Sequence, residues 1–412
     1  MELIAPGGNP EKLLTAFRYG ADAAYLGLKD FSLRRQADNF SPEEGKEIGE
    51  RADFRDRKIY LALNIYFNHA ALEALKAGRD ALAGFRPQGF IISDLGLLPF
   101  LKRSFPQVPL HLSTQANCLN KESAEVYRDL GFSRIILGRE TPLDEMARIK
   151  AALPELELEC FVHGAMCLAY SGRCYLSRYL TGRSANQGDC AQSCRWEYRV
   201  LEEAKRPGEY FPLETGPGWT TLLSSRDLCL IDHLGELKSA GIDALKIEGR
   251  MKSVFYTALV TQAYRKHLDA LEKPPGEGPG KEELARYRED LHSISHRPYG
   301  TGFLFPRGEE EEPAPGDYLR TSLFLGSLLP HPQRAEGGGW LYRLELKNKL
   351  YPGEEVEFIT PQERIATTCY GVKDETGAPV GQADQGKPYT LEIPHSFPDG
   401  CLLRRSLHGE EK

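Results

Sequence analysis

Three stretches of the chain repeat one design: GADAAYLG at 20–27, GFSRIILGRE at 131–140 and GIDALKIEGR at 241–250. Each has a glycine where a helix should stop, a short connector, and then an apolar run. Such runs recur eight times before residue 250, at 3–5, 23–26, 59–63, 89–93, 110–113, 134–137, 157–162 and 244–247. Short apolar runs bounded by turn residues read as buried parallel strands. Amphipathic stretches lie between them; in the first, Leu13, Leu14 and Phe17 share one helical face before Gly20. Strand–helix alternation repeated eight times predicts an α/β chain folded as a (β/α)8 TIM-like barrel. A doubly wound open sheet is the alternative, but no GxGxxG follows the first run.

From residue 317 the period changes to two. Tyr342, Leu344 and Leu346 alternate, as do Val356 and Phe358, and Tyr389, Leu391 and Ile393; DETG at 374–377 is a hairpin signal. This predicts a small C-terminal antiparallel β-barrel domain. The expected organisation is a barrel at 1–272 with an insert at 163–229 after the seventh strand, a connecting segment at 273–316, and the small domain at 317–412. Proline and glycine dominate 273–283, and the glutamate run at 309–312 reads as a solvated boundary.

The insert is chemically unlike its surroundings. Five of the nine cysteines fall at 160–194 (Cys160, Cys167, Cys174, Cys190 and Cys194), and Cys229 follows. Residues 165–200 hold five arginines (Arg173, Arg178, Arg183, Arg195, Arg199) against Asp189 and Glu197, a local charge of +3 in a chain of net charge −7. A pI near 5.9 gives no global reason to bind nucleic acid, so any such contact must be local. The opening MELIAPGG has no secretory pattern, and no run approaches the roughly 18 apolar residues of a membrane span. A cytoplasmic location is expected, where clustered cysteines serve as metal or redox groups rather than disulfides. The spacing Cys167-x6-Cys174-x15-Cys190-x3-Cys194 contains only one pair close enough for a zinc knuckle. Loosely spaced single cysteines suit an iron–sulfur cluster held by four thiolates; zinc is the alternative. Inert packing is the bland reading, and the arginines, serines and glycines around these cysteines argue against it.

The run HGAMC, SGRC, QGDC, then DLC, together with APGGNPEKLLTAFRYGADAAYLG, STQANCLN and KIEGRMKS, resembles the U32 family of collagenase-like peptidases over essentially the whole chain. The resemblance implies more than the family name. Better-understood relatives are oxygen-independent hydroxylation proteins with a 4Fe–4S cluster, acting on tRNA wobble uridine, ribosomal RNA or a ubiquinone precursor, with prephenate as oxygen source. By position it implies Cys167, Cys174, Cys190 and Cys229 as cluster ligands, with Cys194 in reserve. Cys229 falls where the chain opens a helix, whose N–H groups favour a thiolate; Cys194 lies one helical turn beyond Cys190 and competes. Cys160 reads as core, and Cys118, Cys369 and Cys401 as isolated.

In a barrel, catalytic groups lie where strands end. Asn64, Asp94, Gln115, Asn117, Arg139, Glu140, His163, Glu248 and Arg250 all fall there. His163 is a candidate proton donor, or else a hydrogen-bonded brace under the cluster loop. Glu248 and Arg250 are candidate catalytic groups or each other's partners. Arg139 and Lys252 suit a dicarboxylate co-substrate, and Gln115 and Asn117 suit polar substrate contacts. Arg173, Arg178 and Arg183 suit RNA phosphates. The partners expected are tRNA, a small dicarboxylate and no membrane, with a homo- or heterodimer formed with a related family member. A peptidase is a competing reading, although the chain has neither HExxH nor GxSxG. A non-catalytic metal protein that binds RNA is another.

Overall fold

The computed structural model describes residues 1–29, 31–32, 38–51, 54, 56–167, 169–171, 173–196, 214–216, 219–221, 225–274, 279–305, 318–335 and 338–407. Glu197, Arg199 and the glutamate run at 309–312 lie outside the described residues, as does the side chain of Arg195.

Eight parallel strands close into a ring: β1 (Glu2–Gly7), β2 (Ala23–Gly27), β3 (Lys58–Leu63), β4 (Gly89–Ile92), β5 (Leu110–Leu112), β6 (Arg134–Ile136), β7 (Glu157–Ala165) and β8 (Ala244–Ile247). Each pairs with the next, and β8 pairs in parallel with both β7 (Ala244 beside Glu159) and β1 (Glu2 beside Ala244), which completes the barrel. The repeated modules have a plain physical basis. Gly20, Gly131 and Gly241 all take positive φ (106°, 91° and 80°), the conformation that ends a helix without a Cβ penalty. Two residues on, the carboxylates of Asp22 and Asp243 each accept the N–H that starts a neighbouring strand, from Leu3 and Leu158, at 2.8 Å. The first helix, Pro10–Arg18, is set by Asn9, whose side chain accepts from the Lys12 N–H, and by Pro10 in the first turn. The long helix Val254–Glu272 packs against the first helix and β1. A short strand, Asp227–Cys229, returns from the insert and pairs antiparallel with the end of β7.

The lower interior of the barrel is ionic. Arg134 Nη1 lies 2.6 Å from Glu2 and 3.4 Å from Glu159, and its Nε 2.8 Å from Glu157. Lys246 Nζ lies 2.8 Å from Glu159, Lys58 Nζ 2.8 Å from Glu2, and the Tyr60 hydroxyl donates to Glu2 at 2.9 Å. Glu159 is fully buried, and Arg134 and Lys246 nearly so. His111 meets Tyr60 edge-on in the same layer, and its burial, then the nearby cations, hold its imidazole neutral, well below the ordinary range.

The C-terminal region is a separate, curled antiparallel sheet. Its strands run side by side as Arg364–Thr368, Glu355–Ile359, Leu402–Ser406, Ser322–Leu328, Trp340–Leu346, Tyr389–Ile393 and Val372–Lys373, with Gln333–Arg334 on the side of Trp340–Leu346. The alternating residues read from sequence, including Tyr342, Leu344, Phe358 and Leu391, fill its core. It docks on the barrel through directed polar contacts. The Tyr19 hydroxyl donates to the carbonyls of Ile359 and Gly400 (2.9 Å each), and Gln262 donates to the Thr360 carbonyl (2.9 Å). Arg364 and Arg404 both pair with buried Asp290, and Phe255 stacks on Phe324.

Removing one member of a buried ion network strands the others. Glu159→Gln leaves Lys246 and Arg134 buried with less compensation and should cost about 3–5 kcal/mol. Urea unfolding followed by circular dichroism reads it directly; an unchanged midpoint would show that the network contributes no stability.

Candidate functional site

The carboxyl ends of the strands open into a cavity of about 670 Å³, within the range of small-molecule and cofactor sites. Strand ends supply Asn64, Gln115, Arg139, Glu248 and Arg250, and the insert forms the opposite wall. Five cations line the cavity (Arg139, Arg173, Lys246, Arg250 and Lys252), and Glu248 is the one carboxylate among its described lining residues. The electrostatics therefore favour an anionic occupant.

Each of these charges is aimed by its neighbours. The Arg139 guanidinium lies 4.1 Å from the Phe161 ring centroid and 3.8 Å from Glu248 Oε2. The Tyr25 hydroxyl donates to that same Glu248 oxygen at 3.2 Å, and Lys246 Nζ sits 4.4 Å from the Tyr25 ring. Tyr256 donates to the Glu248 carbonyl at 2.7 Å. Lys252 reaches the Ser295 carbonyl at 3.3 Å and lies 5.2 Å from the Tyr318 ring. Arg250 is 4 % exposed, and its Nη1 is 3.5 Å from Asn39 Oδ1. Two sequence glycines exist for it. A Cβ at Gly27 would lie 1.8 Å from Arg250 Nη1, and one at Gly8 would lie 2.1 Å from the Arg250 carbonyl oxygen. The glycine of YLG thus leaves room for the Arg250 guanidinium, and the second glycine of APGG lets the Arg250 backbone approach β1.

The remaining expected site residues divide. Gln115 lines the cavity, and Arg173 Nε donates to its carbonyl at 3.1 Å. Gln115 Oε1 and Thr114 Oγ1 are buried acceptors with no hydrogen-bond partner among the described residues, and both residues line the cavity. Asn117 ends the short turn Thr114–Ala116 in a left-handed conformation (φ 64°), outside the lining. Arg178 is exposed on the insert helix Leu176–Thr181, also outside the lining. Arg183 braces the insert: its Nε donates to Asp189 (2.9 Å) and its Nη2 to the Cys190 carbonyl (3.4 Å).

His163 is not on the cavity wall. It is 1 % exposed, with Nδ1 3.4 Å from the Tyr264 hydroxyl and Nε2 3.4 Å from that of Tyr299. Burial pushes its imidazole down to about 3, against the pull of Asp227, so it stays neutral. The reason is a bulge. Glu159 and Phe161 face inward, but the β7–β8 register shifts so that Lys246 pairs with Phe161 and Ile247 with His163. One extra residue reverses the alternation and turns His163 out of the barrel interior. The placement is that of a brace, not of a proton donor to the cavity.

Four thiols line the cavity: Cys167, Cys174, Cys190 and Cys194. Cys229 is outside the lining, paired with His163 across the strands, with its sulfur 4.0 Å from the Tyr264 hydroxyl and its thiol pushed up to about 11 by burial. Among the described residues no three metal-binding side chains stand close enough to form a ready-made site. The donor chemistry nonetheless fits a thiolate-held metal. These thiols are half-buried, the Gln192 N–H donates to Cys190 Sγ at 3.3 Å, and the Cys174 N–H is held by Asn186 at 3.2 Å. Cys118, Cys160, Cys369 and Cys401 are fully buried, with thiols raised by desolvation, as inert core cysteines are.

The sequence reading did not single out Lys246, Tyr25 and Thr114. A lysine inside the apolar run ALKI was the available signal, since a charge in a buried strand needs a reason.

A closed barrel with a cationic, thiol-lined cavity at its carboxyl face defines a barrel protein whose chemistry sits at the strand ends. The chain belongs to peptidase family U32. The family model matches residues 8–313, and the model of the family's C-terminal domain matches 320–404. The chain is 33% identical to tRNA hydroxylation protein P of Escherichia coli K12 over an alignment of 455 positions, covering 99% of this chain and 97% of the relative. It is 36% identical to tRNA hydroxylation protein P1 of Bacillus subtilis 168, covering 91% and 87%. A 23S rRNA 5-hydroxycytidine synthase of E. coli K12 is 36% identical, over 67% of this chain and 40% of that protein.

Gly27→Ala places a methyl group where the Arg250 guanidinium lies. It should lower activity as far as Arg250→Ala does while the far-ultraviolet dichroism stays native. Full activity in Gly27→Ala would show that Arg250 need not reach the cavity by this route.

Proposed function

We propose that this protein is an RNA-hydroxylating enzyme that converts the wobble uridine of tRNA to 5-hydroxyuridine without molecular oxygen. The observation that carries the reading is the cationic, cysteine-lined cavity, in a chain similar along nearly its whole length to proteins named for tRNA hydroxylation. Five cations against one carboxylate suit a polyanion and a small dicarboxylate together, and prephenate is the proposed oxygen source. Arg139, Arg250 and Lys252 are the proposed carboxylate contacts, and Glu248, held by Tyr25 and Arg139, the proposed acid–base group.

The proposed cofactor is a 4Fe–4S cluster. Cys167, Cys174 and Cys190 would hold it, with Cys229 as the fourth ligand implied by family resemblance and Cys194 as its competitor on the cavity wall. When bound, such a cluster supplies one-electron chemistry beside the substrate. An enzyme acting on tRNA works in the cytoplasm, and among the described residues no helix is long and apolar enough to cross a membrane.

Ribosomal RNA is the second reading, supported by the synthase similarity. It is weaker because the match spans less than half of that protein, whereas the tRNA-directed relatives match nearly end to end.

Mass spectrometry of RNA from cells lacking this protein decides between them. Loss of wobble 5-hydroxyuridine, restored by the wild-type gene, is the expected result. Intact tRNA with unhydroxylated 23S rRNA would transfer the activity to the ribosome.

Iron and sulfide content of protein purified without oxygen tests the cofactor. Cys174→Ala should lose nearly all its iron. Of Cys194→Ala and Cys229→Ala, the one that loses iron names the fourth ligand; loss only in Cys194→Ala would put the cluster wholly within the insert. Full iron in Cys174→Ala would overturn the cluster assignment.

A further inference from the structure

Two tyrosines line the cavity and yet stand largely in water: Tyr175, from the insert, is 72 % exposed, and Tyr318, at the entry to the C-terminal sheet, is 46 % exposed. Rings left in solvent at a cavity mouth mark a binding surface. Cations accompany both. Exposed Arg173 lines the cavity two residues before Tyr175, and Lys252 Nζ lies 5.2 Å from the Tyr318 ring. Tyr318 is held in place by its neighbour, since Leu319 and His296 exchange two backbone hydrogen bonds, at 2.7 and 3.0 Å. The floor is different in kind. Gln115 is 6 % exposed, and its Oε1 and the Thr114 Oγ1 are buried acceptors with no hydrogen-bond partner among the described residues. A buried acceptor left unpaired is costly, and a ligand donor relieves that cost.

Exposed rings beside cations are how proteins hold single-stranded nucleic acid: the rings stack on bases and the cations take phosphates. An enzyme that works on a base must draw it out of its stack, then hold it by its hydrogen-bonding edge. The cavity has both parts in the right order, rings at the mouth and unpaired acceptors at the floor.

We propose that the cavity mouth is a clamp for one unpaired, extruded pyrimidine of an RNA loop. Tyr175 and Tyr318 stack on the entering base and its neighbour, Arg173 and Lys252 hold the flanking phosphates, and Gln115 with Thr114 accepts from the base edge. The clamp rests on the RNA reading above and assigns it a specific surface. It also gives the C-terminal domain a part in binding, because the connection into that domain carries Tyr318.

The test is fluorescence anisotropy of the full-length protein with three labelled RNAs: a stem-loop with uridine in the loop, the same loop with an abasic position there, and a fully paired duplex. Wild type should bind the uridine loop most tightly. Tyr175→Ala and Tyr318→Ala should each weaken loop binding about tenfold, leaving duplex binding and the salt slope unchanged. Tyr175→Phe should bind as wild type. Arg173→Ala should instead lower the salt slope by about one. Gln115→Ala should bind uridine and abasic loops alike. Equal binding of loop and duplex, with the tyrosine variants at wild-type affinity, overturns the clamp and leaves the RNA reading standing. Binding of none of the three RNAs overturns both.

Discussion

The Lys246–Glu159 ion pair is the contact on which the barrel and its cavity both depend. Glu159 is wholly buried, and a carboxylate there is tolerable only because Lys246 and Arg134 meet its two oxygens. Those three residues stand on β7, β8 and β6, and Glu2 on β1 extends the network across the ring. The partners must meet in one register, so the charges help specify where β8 closes the barrel. Lys246 has a second face. Its ammonium lies over Tyr25 and its side chain reaches the cavity, so the group that stabilises the ring also contributes positive charge to the site.

That positive charge organises what lies above. Among its described lining residues, one cavity holds five cations and a single carboxylate, an arrangement with little intrinsic stability, because like charges at short range repel. Phe161, Tyr25, Tyr256 and Tyr318 offset part of this by placing ring faces near the cations. An anionic occupant offsets the rest. Arg250 shows how the backbone is shaped around one of these cations, since Gly27 on β2 leaves room for its guanidinium and Gly8, just after β1, for its carbonyl.

The cysteines fall into two groups for the same reason that cysteines generally do. Those packed in apolar surroundings keep their protons, as burial raises the thiol range. Those of the insert are half-buried on the cavity wall, where the Gln192 N–H donates to Cys190 Sγ. Cys229 belongs between the groups. It lies beside Tyr264 and His163, on the strand that pairs with the end of β7.

Much of the architecture was legible before any coordinates. All eight barrel strands fall on the short apolar runs, within a few residues at each end, because a buried parallel strand leaves a continuous apolar signal. The module glycines were readable because a helix that must stop and turn needs positive φ, and glycine alone adopts it freely. The alternating strands of the C-terminal sheet were readable by their period. The site was legible only as a list of strand-end residues. Which of these reach the cavity depended on a single inserted residue in β7, which turned His163 outward, and on the insert's fold, which turned Arg183 toward Asp189. The bulge depends on pairing between β7 and β8, strands far apart in sequence, and the Arg183 contact on how the insert turns back on itself. The sequence by itself determined the elements, their order and the chemical types available at the strand ends. Tertiary structure decided which side chains share one space, because that depends on register and on contacts between residues far apart in the chain.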